Sequence, residues 1–216
     1  MQYDKDTQMT NTTIVLKSSA TLEYNNSDGT GVMIPEGCTI YCTNPKNNVV
    51  AKGLIKIDGN LYADFRGKTS QDKDLSTGLG AIKETSSEEK EKSITPTQDI
   101  TFGSNANVFI NGSIRAINLK VESGANVYAE GNLFNNDANG NSTIKGNLWV
   151  KGFVKARTLD VNGYLKSETA IKVTNQFNVN NGANVEASYI NVTNNTKDGQ
   201  KVIEKGEATL TLNGTG

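Results

Sequence analysis

The stretch LDVNGYLKSETAIKVTNQFNVNNGANVEAS, residues 159–188, repeats one short pattern five times. In each repeat two aliphatic or small residues flank one variable residue, and three or four polar or glycine residues follow. Alternation of apolar and polar residues predicts a strand with one buried face, here about three residues long. The linkers between these strands are too short for helices. A pair every six residues or so corresponds to one side of a three-sided coil, so that three pairs make one turn of about 18 residues.

This spacing predicts an all-β fold, a single-stranded three-sided parallel β-helix (a solenoid) in which each turn stacks on the next. Residues 1–216 are interpreted as a single β-helix domain. It is expected to have about seven turns of ~18 residues with corner insertions, and a right-handed coil is favoured. The alternative is the left-handed hexapeptide coil of some acyltransferases, because Ala-x-Val pairs suit both hands. Those enzymes depend on a catalytic histidine, and this chain has none.

The pairs divide among three faces, called first, second and third in chain order. The near-copies SNANV, SGANV and NGANV (104–108, 123–127 and 181–185) all fall on the first face, so five turns stay in phase. Both members of a pair point inward, which predicts six large core residues: Leu148, Val154, Leu159, Leu165, Ile171 and Phe177. Seven earlier pairs, within residues 14–63, continue the count if residues 64–99 contain no strand. On that premise the pair Leu61/Ala63 lies on the second face.

The composition argues against several functions. The chain has 28 Asn and 21 Gly residues, which favour turns over helices, and only 35% hydrophobic residues. A net charge of −1 gives no global field for binding nucleic acid, and the longest aliphatic run, Thr13–Leu16, is far too short to insert into a membrane. The absence of histidine removes the commonest general base and metal ligand. We therefore expect no catalysis, no cofactor and no metal site.

Long insertions interrupt the coil at its corners. In this count the insertions 41–48, 64–99, 135–143 and 193–201 all lie between the second and third faces, and 23–31 lies between the third and first. Insertions clustered on one side of a solenoid usually mark the side that meets partners. The largest, 64–99, is predicted to be a polar loop exposed to solvent. The alternative is a flap in which Leu75, Leu79 and Ile82 pack against the coil.

Six outward-pointing residues are candidates for contact with a ligand or partner: Trp149, Tyr62, Tyr128, Arg115, Lys155 and Lys172. The three aromatic side chains could stack on sugar rings, although they belong to different turns. The three basic side chains are expected to form a stripe on the outside of the second face. Such a stripe would either bind an anionic glycan or keep exposed strands soluble.

Two cysteines occur close together in CTIYC, residues 38–42. Cys38 falls on an inward position, so it is expected to act as a small hydrophobic core residue. A local disulfide between Cys38 and Cys42 is the alternative. A metal site would need more ligands than these two thiols.

The stretch GNLWVKGFVKARTLDVNGYLKSETAIKV, residues 146–173, resembles the bactofilin-type single-domain β-helix and, more loosely, β-helical surface adhesins of Bacteroidetes. The resemblance covers residues 100–192 and consists of a core pattern without functional residues. Bactofilins are cytoskeletal polymers that stack through uncapped ends, and their cores are largely uninterrupted, unlike this chain. The Asn/Thr/Gly-rich sequence is more similar to secreted surface proteins. The chain stops at NGTG directly after a strand-like stretch, so it is interpreted as a piece of a longer protein.

The resulting expectation is a non-catalytic structural or adhesive scaffold of a bacterial cell-surface or secreted protein. The alternatives are a carbohydrate-binding β-helix and a bactofilin-like, self-assembling filament protein of the cytoplasm. A protein or glycan on a surface is the expected partner, with no nucleic acid and no direct membrane insertion. Oligomers would form by end-to-end or side packing.

Overall fold

The fold is taken from a computed structural model that describes most of the chain. The described residues are 2–3, 10–17, 21–24, 33–43, 48–51, 54–64, 78–80, 82–85, 93–96, 98–135, 139–193, 202–204 and 209–212. They form strands and turns, with no helix among them. The strands before residue 100 are β1 (Gln2–Tyr3), β2 (Thr13–Leu16), β3 (Thr21–Tyr24), β4 (Met33–Ile34), β5 (Thr39–Cys42), β6 (Asn48–Ala51), β7 (Ile55–Ile57), β8 (Asn60–Asp64), β9 (Gly78–Leu79), β10 (Ile82–Thr85) and β11 (Ser93–Pro96).

The strands from residue 100 onward follow one another at short intervals. They are β12 (Ile100–Phe102), β13 (Asn107–Asn111), β14 (Ser113–Arg115), β15 (Leu119–Val121), β16 (Asn126–Ala129), β17 (Leu133–Asn135), β18 (Asn141–Ile144), β19 (Asn147–Val150), β20 (Val154–Val161), β21 (Tyr164–Ser167), β22 (Ala170–Val179), β23 (Asn184–Ala187), β24 (Tyr189–Val192), β25 (Val202–Glu204) and β26 (Thr209–Leu212).

The first face is a parallel sheet of nine strands in the order β2-β5-β8-β13-β16-β19-β21-β23-β26. Its ladder pairs Val108 with Val127, and Val127 with Leu148. The three near-copies SNANV, SGANV and NGANV lead into β13, β16 and β23, so all three lie on this face. The phase predicted from residue 104 to residue 185 is therefore confirmed.

The second and third faces are joined in one twelve-stranded sheet, because β20 and β22 each continue through the corner between them. The first part of β20 pairs with β17 and its second part with β18. In the same way β22 pairs with β24 and then with β25. Each of these turns contributes one strand segment to each face. The predicted three-sided parallel β-helix is thus confirmed, while its handedness stays a prediction.

The core is one apolar column inside the coil. In β19, for example, Leu148 and Val150 are buried while Asn147 and Trp149 are exposed. All six predicted core residues are 0% exposed: Leu148, Val154, Leu159, Leu165, Ile171 and Phe177. Burial stabilises each such side chain by about 1.5–3 kcal/mol relative to exposure. The predicted exposure of Trp149, Lys155 and Lys172 is also confirmed.

The face assignment before residue 100 is wrong, because residues 64–99 contain strands. The two-residue strand β9 pairs with β14 on the second face, and Leu79 is buried in the core. Consequently β8, with Leu61 and Ala63, lies on the first face, where it pairs with β13. A strand of two residues inside a polar segment carries no alternation, so the sequence pattern does not reveal it.

The insertion 64–99 also contains an antiparallel hairpin of β10 and β11. Strand β11 lies near β17 of the second face. This arrangement is closer to the flap alternative than to a solvated loop throughout. Leu79 nevertheless belongs to the core instead of the flap, and Leu75 and the side chain of Ile82 lie outside the described residues.

The long insertions border the second face on both of its edges. The insertion 41–48 and the first part of 64–99 separate first-face from second-face strands (β5 from β6, and β8 from β9). The insertions 135–143 and 193–201 lie between the second and third faces as predicted, and 23–31 lies there too. The prediction of a single edge is therefore wrong. The corner from the third to the first face, by contrast, stays short in every described turn.

Both cysteines are buried free thiols. Cys42 points inward from β5 beside Ile40, and Cys38 is buried just before that strand. Burial raises the pKa of the Cys42 thiol to about 12. It therefore stays protonated at neutral pH. The prediction that Cys38 is a core residue is confirmed, and the alternative of a local disulfide is not realised.

Candidate contact surface on the first face

Five outward aromatic residues form one column on the first face, here called the aromatic ladder: Tyr41, Tyr62, Phe109, Tyr128 and Trp149. They occupy the same position in five successive strands, from β5 to β19. Stacked strands are about 4.8 Å apart, so the ladder extends ~20 Å along the rod. Tyr62, Tyr128 and Trp149 thus lie on one face, because β8 belongs to the first face and not to the second. They belong to different turns but to a single column.

The rings of the aromatic ladder contact one another in two groups, Tyr41 with Tyr62, and Tyr128 with Phe109 and Trp149. The ring centroids of Tyr41 and Tyr62 are 4.9 Å apart at an interplanar angle of 11°, and those of Phe109 and Tyr128 are 5.2 Å apart at 16°. Each stacked pair contributes about 0.5–1.5 kcal/mol beyond the burial of area. Because the stacking follows the rod axis, the ring edges face solvent, and Tyr62 and Phe109 remain 39% and 40% exposed. The ladder stabilises the coil and still leaves an apolar strip at the surface.

A second column, here called the asparagine ladder, runs parallel to the aromatic ladder and consists of Asn60, Asn107, Asn126 and Asn147. Each amide Nδ2 donates to the Oδ1 of the preceding rung, over 3.2 Å from Asn107, 3.3 Å from Asn126 and 2.8 Å from Asn147. At the start of the column, Asn60 Nδ2 donates to Thr39 Oγ1 over 3.1 Å. These bonds fix the orientation of every amide in the row.

A shallow trough of about 380 Å³ lies between the two ladders. The columns are two residues apart on each strand, which is about 6.6 Å. The trough is lined on one side by ring edges and on the other by amides, including Phe109, Tyr128, Trp149, Asn107, Asn126 and Asn147. A second, smaller groove follows the opposite side of the aromatic ladder beside Tyr41 and Tyr62. The aromatic strip is therefore open to a ligand from both flanks.

Trp149 ends the aromatic ladder in a different orientation. Its ring is perpendicular to that of Tyr128, at a centroid distance of 5.1 Å. The indole Nε1 donates to Glu168 Oε1 over 3.1 Å, and the Lys166 ammonium lies 4.5 Å from the ring centroid. A cation over an aromatic face attracts the ring electrons. These contacts hold the indole in place at the end of the trough.

The cations beside the trough are paired with carboxylates. Glu130 accepts a hydrogen bond from the Tyr128 hydroxyl over 2.6 Å and forms an ion pair with Lys151 over 2.8 Å. Hydrogen bonds from Lys151 and Tyr128 lower the pKa of Glu130. Burial, followed by the hydrogen bond to Glu130, raises the pKa of Tyr128 to about 12. The rim of the trough thus carries little uncompensated charge at neutral pH.

We expect the Tyr128 phenol to ionise later in an alkaline titration than an ordinary tyrosine, whose pKa is 10.0. The folded state then holds a proton that the unfolded state releases, so the contribution of Tyr128 to stability is present below pH 10 and is lost as the pH rises through about 12. The difference in phenolate absorbance between the parent protein and Tyr128→Phe isolates this group. Glu130→Gln should lower the titration midpoint of Tyr128 only in part, because burial is the larger cause of its raised pKa. A midpoint near 10 in the difference curve would contradict the described contacts.

The predicted basic stripe on the second face is only partly present. Lys155 and Lys172 are neighbouring exposed residues in β20 and β22. Phe134 separates them from Arg115, which is only 6% exposed. Arg115 Nη2 donates to the Gly78 carbonyl over 2.9 Å, and burial lowers the pKa of the guanidinium to about 10. Arg115 therefore ties strand β14 to β9 instead of belonging to an open anion-binding stripe.

Within the part of the chain that the structure describes, no helix is long and apolar enough to cross a membrane. Among the same residues, no group of three or more His, Cys, Asp or Glu side chains is placed to hold a metal ion. No known protein family, curated protein or solved structure matches the chain.

Proposed function

We propose that the chain is a non-catalytic adhesive scaffold of a bacterial cell-surface or secreted protein, and that its first face is the contact surface. The observation that carries the proposal is the aromatic ladder. A contiguous row of large apolar residues at the surface of a soluble protein commonly marks an interaction site. Here the row lies on a rigid element, since every strand that bears it is paired on both sides.

The stability of the coil alone does not require an apolar row at the surface. On the third face the equivalent outward column is Lys56, Thr101, Lys120, Thr143, Asp160 and Asn178. On the second face the outward column ends with Lys155, Lys172 and Asn191. The strands of these columns pair in the same parallel register although most of the outward residues are polar. The exposed rings of the first face therefore have a use beyond stacking.

The non-catalytic part of the proposal is supported by the ion pairs of several carboxylates. A catalytic acid needs a raised pKa, which burial or a neighbouring like charge provides. Glu130 has a lowered pKa instead, and it is ion-paired with Lys151. Glu122 and Asp58 are ion-paired in the same way with Lys145 and Lys56. Export to the surface is supported by the Asn/Thr/Gly-rich composition, which is similar to that of secreted surface proteins.

Removal of three of the five rings of the aromatic ladder should strongly weaken adhesion and leave the fold intact. The variant Tyr62→Thr/Phe109→Thr/Trp149→Thr keeps strand propensity while it deletes three exposed rings. We expect labelled protein to bind immobilised mucin, epithelial cells or bacterial cells, and the triple variant to bind about tenfold less or worse. The matched control is Tyr189→Thr, since Tyr189 is 53% exposed and lies on the second face. Equal adhesion of the parent and the triple variant would overturn the proposal, provided that both have the same far-ultraviolet circular dichroism.

A further inference from the structure

The trough between the aromatic and asparagine ladders has the chemistry of a sugar site. We infer that it binds a neutral, extended polysaccharide chain that lies parallel to the rod axis, an inference that depends on the first face being the contact surface. A sugar unit offers hydroxyl groups on its rim and C–H groups on its faces. The trough offers amides on one wall, which can bond to the hydroxyl groups, and apolar ring edges on the other, against which the C–H groups can pack.

The asparagine ladder leaves hydrogen-bonding capacity for such a ligand. An amide oxygen has two lone pairs. The Oδ1 atoms of Asn60, Asn107 and Asn126 each accept one bond from the next rung. The second lone pair can accept a ligand hydroxyl. Because the ladder bonds already hold each amide in place, a ligand loses little affinity to ordering these side chains.

The charge of the trough selects a neutral ligand. Its walls are amides and aromatic rings, which carry no formal charge. The nearby cations form ion pairs, Lys151 with Glu130 and Lys166 with Glu186, and the nearby Glu168 is a further carboxylate. A polyanion would gain no cationic partner there without breaking one of these pairs. An acidic polysaccharide is therefore disfavoured at this surface, in contrast to the exposed Lys155 and Lys172 on the second face.

The shape of the trough selects an extended polymer. Small-molecule sites usually bury most of the surface of their ligand, and an open trough does not. A peptide that binds to a sheet usually adds a strand to an unpaired edge. The strands that carry the ladders, β5, β8, β13, β16 and β19, are paired on both sides, so this face offers no such edge. A polymer that repeats about once per rung, by contrast, can make the same contact in each turn.

The length of the ligand gives the first test. Isothermal titration calorimetry with neutral linear glucan and mannan oligosaccharides of increasing length should show an affinity that rises with each added unit. The gain should level off when the chain spans about four rungs, the number of strands that carry both an asparagine and an aromatic ring. Polygalacturonate, an acidic polymer, should bind about tenfold more weakly or not at all. An affinity that is independent of length, or polygalacturonate binding as tight as that of the neutral polymers, would overturn the inference.

Matched variants give the second test. Asn126→Ala removes one amide acceptor from the trough, whereas Asn162→Ala removes an amide at an exposed corner. Phe109→Thr is likewise paired with Tyr189→Thr. The trough variants should each weaken binding of the neutral oligosaccharide by about tenfold, and the controls should leave it unchanged. Equal losses in trough and control variants would show that binding occurs elsewhere on the rod and would overturn the inference.

Treatment of the target cells separates this inference from the proposed function. Periodate cleaves the vicinal diols of sugars, so periodate-treated cells should no longer bind the protein. If protease treatment abolishes ladder-dependent adhesion and periodate does not, the partner is a protein, and only the polysaccharide inference fails. If sedimentation shows that Phe109→Thr instead abolishes a dimer, the occupant is a second copy of the chain. If the triple variant adheres normally, the proposed function fails as well.

Discussion

Replacement of Leu148 by Asp is expected to unfold the central turns, whereas replacement of the adjacent Trp149 by Asp is expected to leave the fold intact. Leu148 is 0% exposed and stacks between Val127 and Leu165 inside the coil. Truncation of such a residue costs about 2–5 kcal/mol, and burial of a carboxylate adds several more. That sum is comparable with the total stability of a domain, about 5–15 kcal/mol. In a solenoid each turn contacts only its neighbours, so a central break also uncouples the two halves.

Trp149 is the matched control for Leu148. It is 39% exposed, and Trp149→Asp removes a ring contact with Tyr128 and a cation–π contact with Lys166. The expected loss is about 1–2 kcal/mol, because the new carboxylate stays in water. Urea unfolding followed by circular dichroism compares the two variants with the parent. Equal stabilities of the two variants, or a more stable Leu148→Asp, would contradict the inward position of Leu148 and would indicate that the register of the strand is shifted by one residue.

The C-terminal half of the fold could be predicted because its regular period allows only one assignment of the strands to the three faces. Between β13 and β24 nearly every strand carries alternating apolar residues, and the tight corners keep the phase from one turn to the next. The near-copies ending in Val108, Val127 and Val185 fix the first face three times over. A one-residue error in this stretch would expose a whole column of apolar side chains.

The N-terminal half could not be placed in the same way, because its phase depends on a strand without a pattern. Gly78 and Leu79 form the second-face strand of their turn inside a polar insertion, and only the pairing with Ser113 and Ile114 defines it. Omission of this strand moves every earlier strand by one face. The burial of Arg115 and the position of the hairpin could not be predicted for a related reason. Both depend on contacts between segments that are distant in the sequence.

The aromatic ladder was only partly visible in the sequence. Trp149, Tyr62 and Tyr128 were identified as outward-pointing, but the shift of one face placed Tyr62 away from the other two. Phe109 could have been identified, because it lies between the inward residues Val108 and Ile110. The asparagine ladder carried a signal as well. Each of its members comes directly before an inward apolar residue at the start of a first-face strand, although an Asn-rich composition conceals that regularity.

Replacement of Gly146 by Ala should destabilise the coil far more than replacement of Gly182 by Ala. Gly146 lies in the short corner between β18 and β19, where the third face turns into the first. A Cβ atom at this position would lie 2.4 Å from the Glu122 carbonyl oxygen and 2.6 Å from that of Ala125. Both obstacles are backbone atoms of the preceding turn, which cannot rotate away as a side chain can. Relief of the clash requires separation of two stacked turns, and we expect a cost of about 3 kcal/mol or more.

Gly182 is at a corner for a different reason, which is its left-handed backbone conformation. It has a φ of +76°, and no atom lies within 4 Å of the position that a Cβ would occupy. Gly182→Ala should therefore cost only the strain of a left-handed residue, about 1–2 kcal/mol. Urea denaturation midpoints of the two variants measure the difference. The third-to-first corner is short in each described turn, and the insertions border the second face. A small effect of Gly146→Ala would therefore show that stacked turns can separate at this corner. The close stacking that holds both ladders in register would then be contradicted.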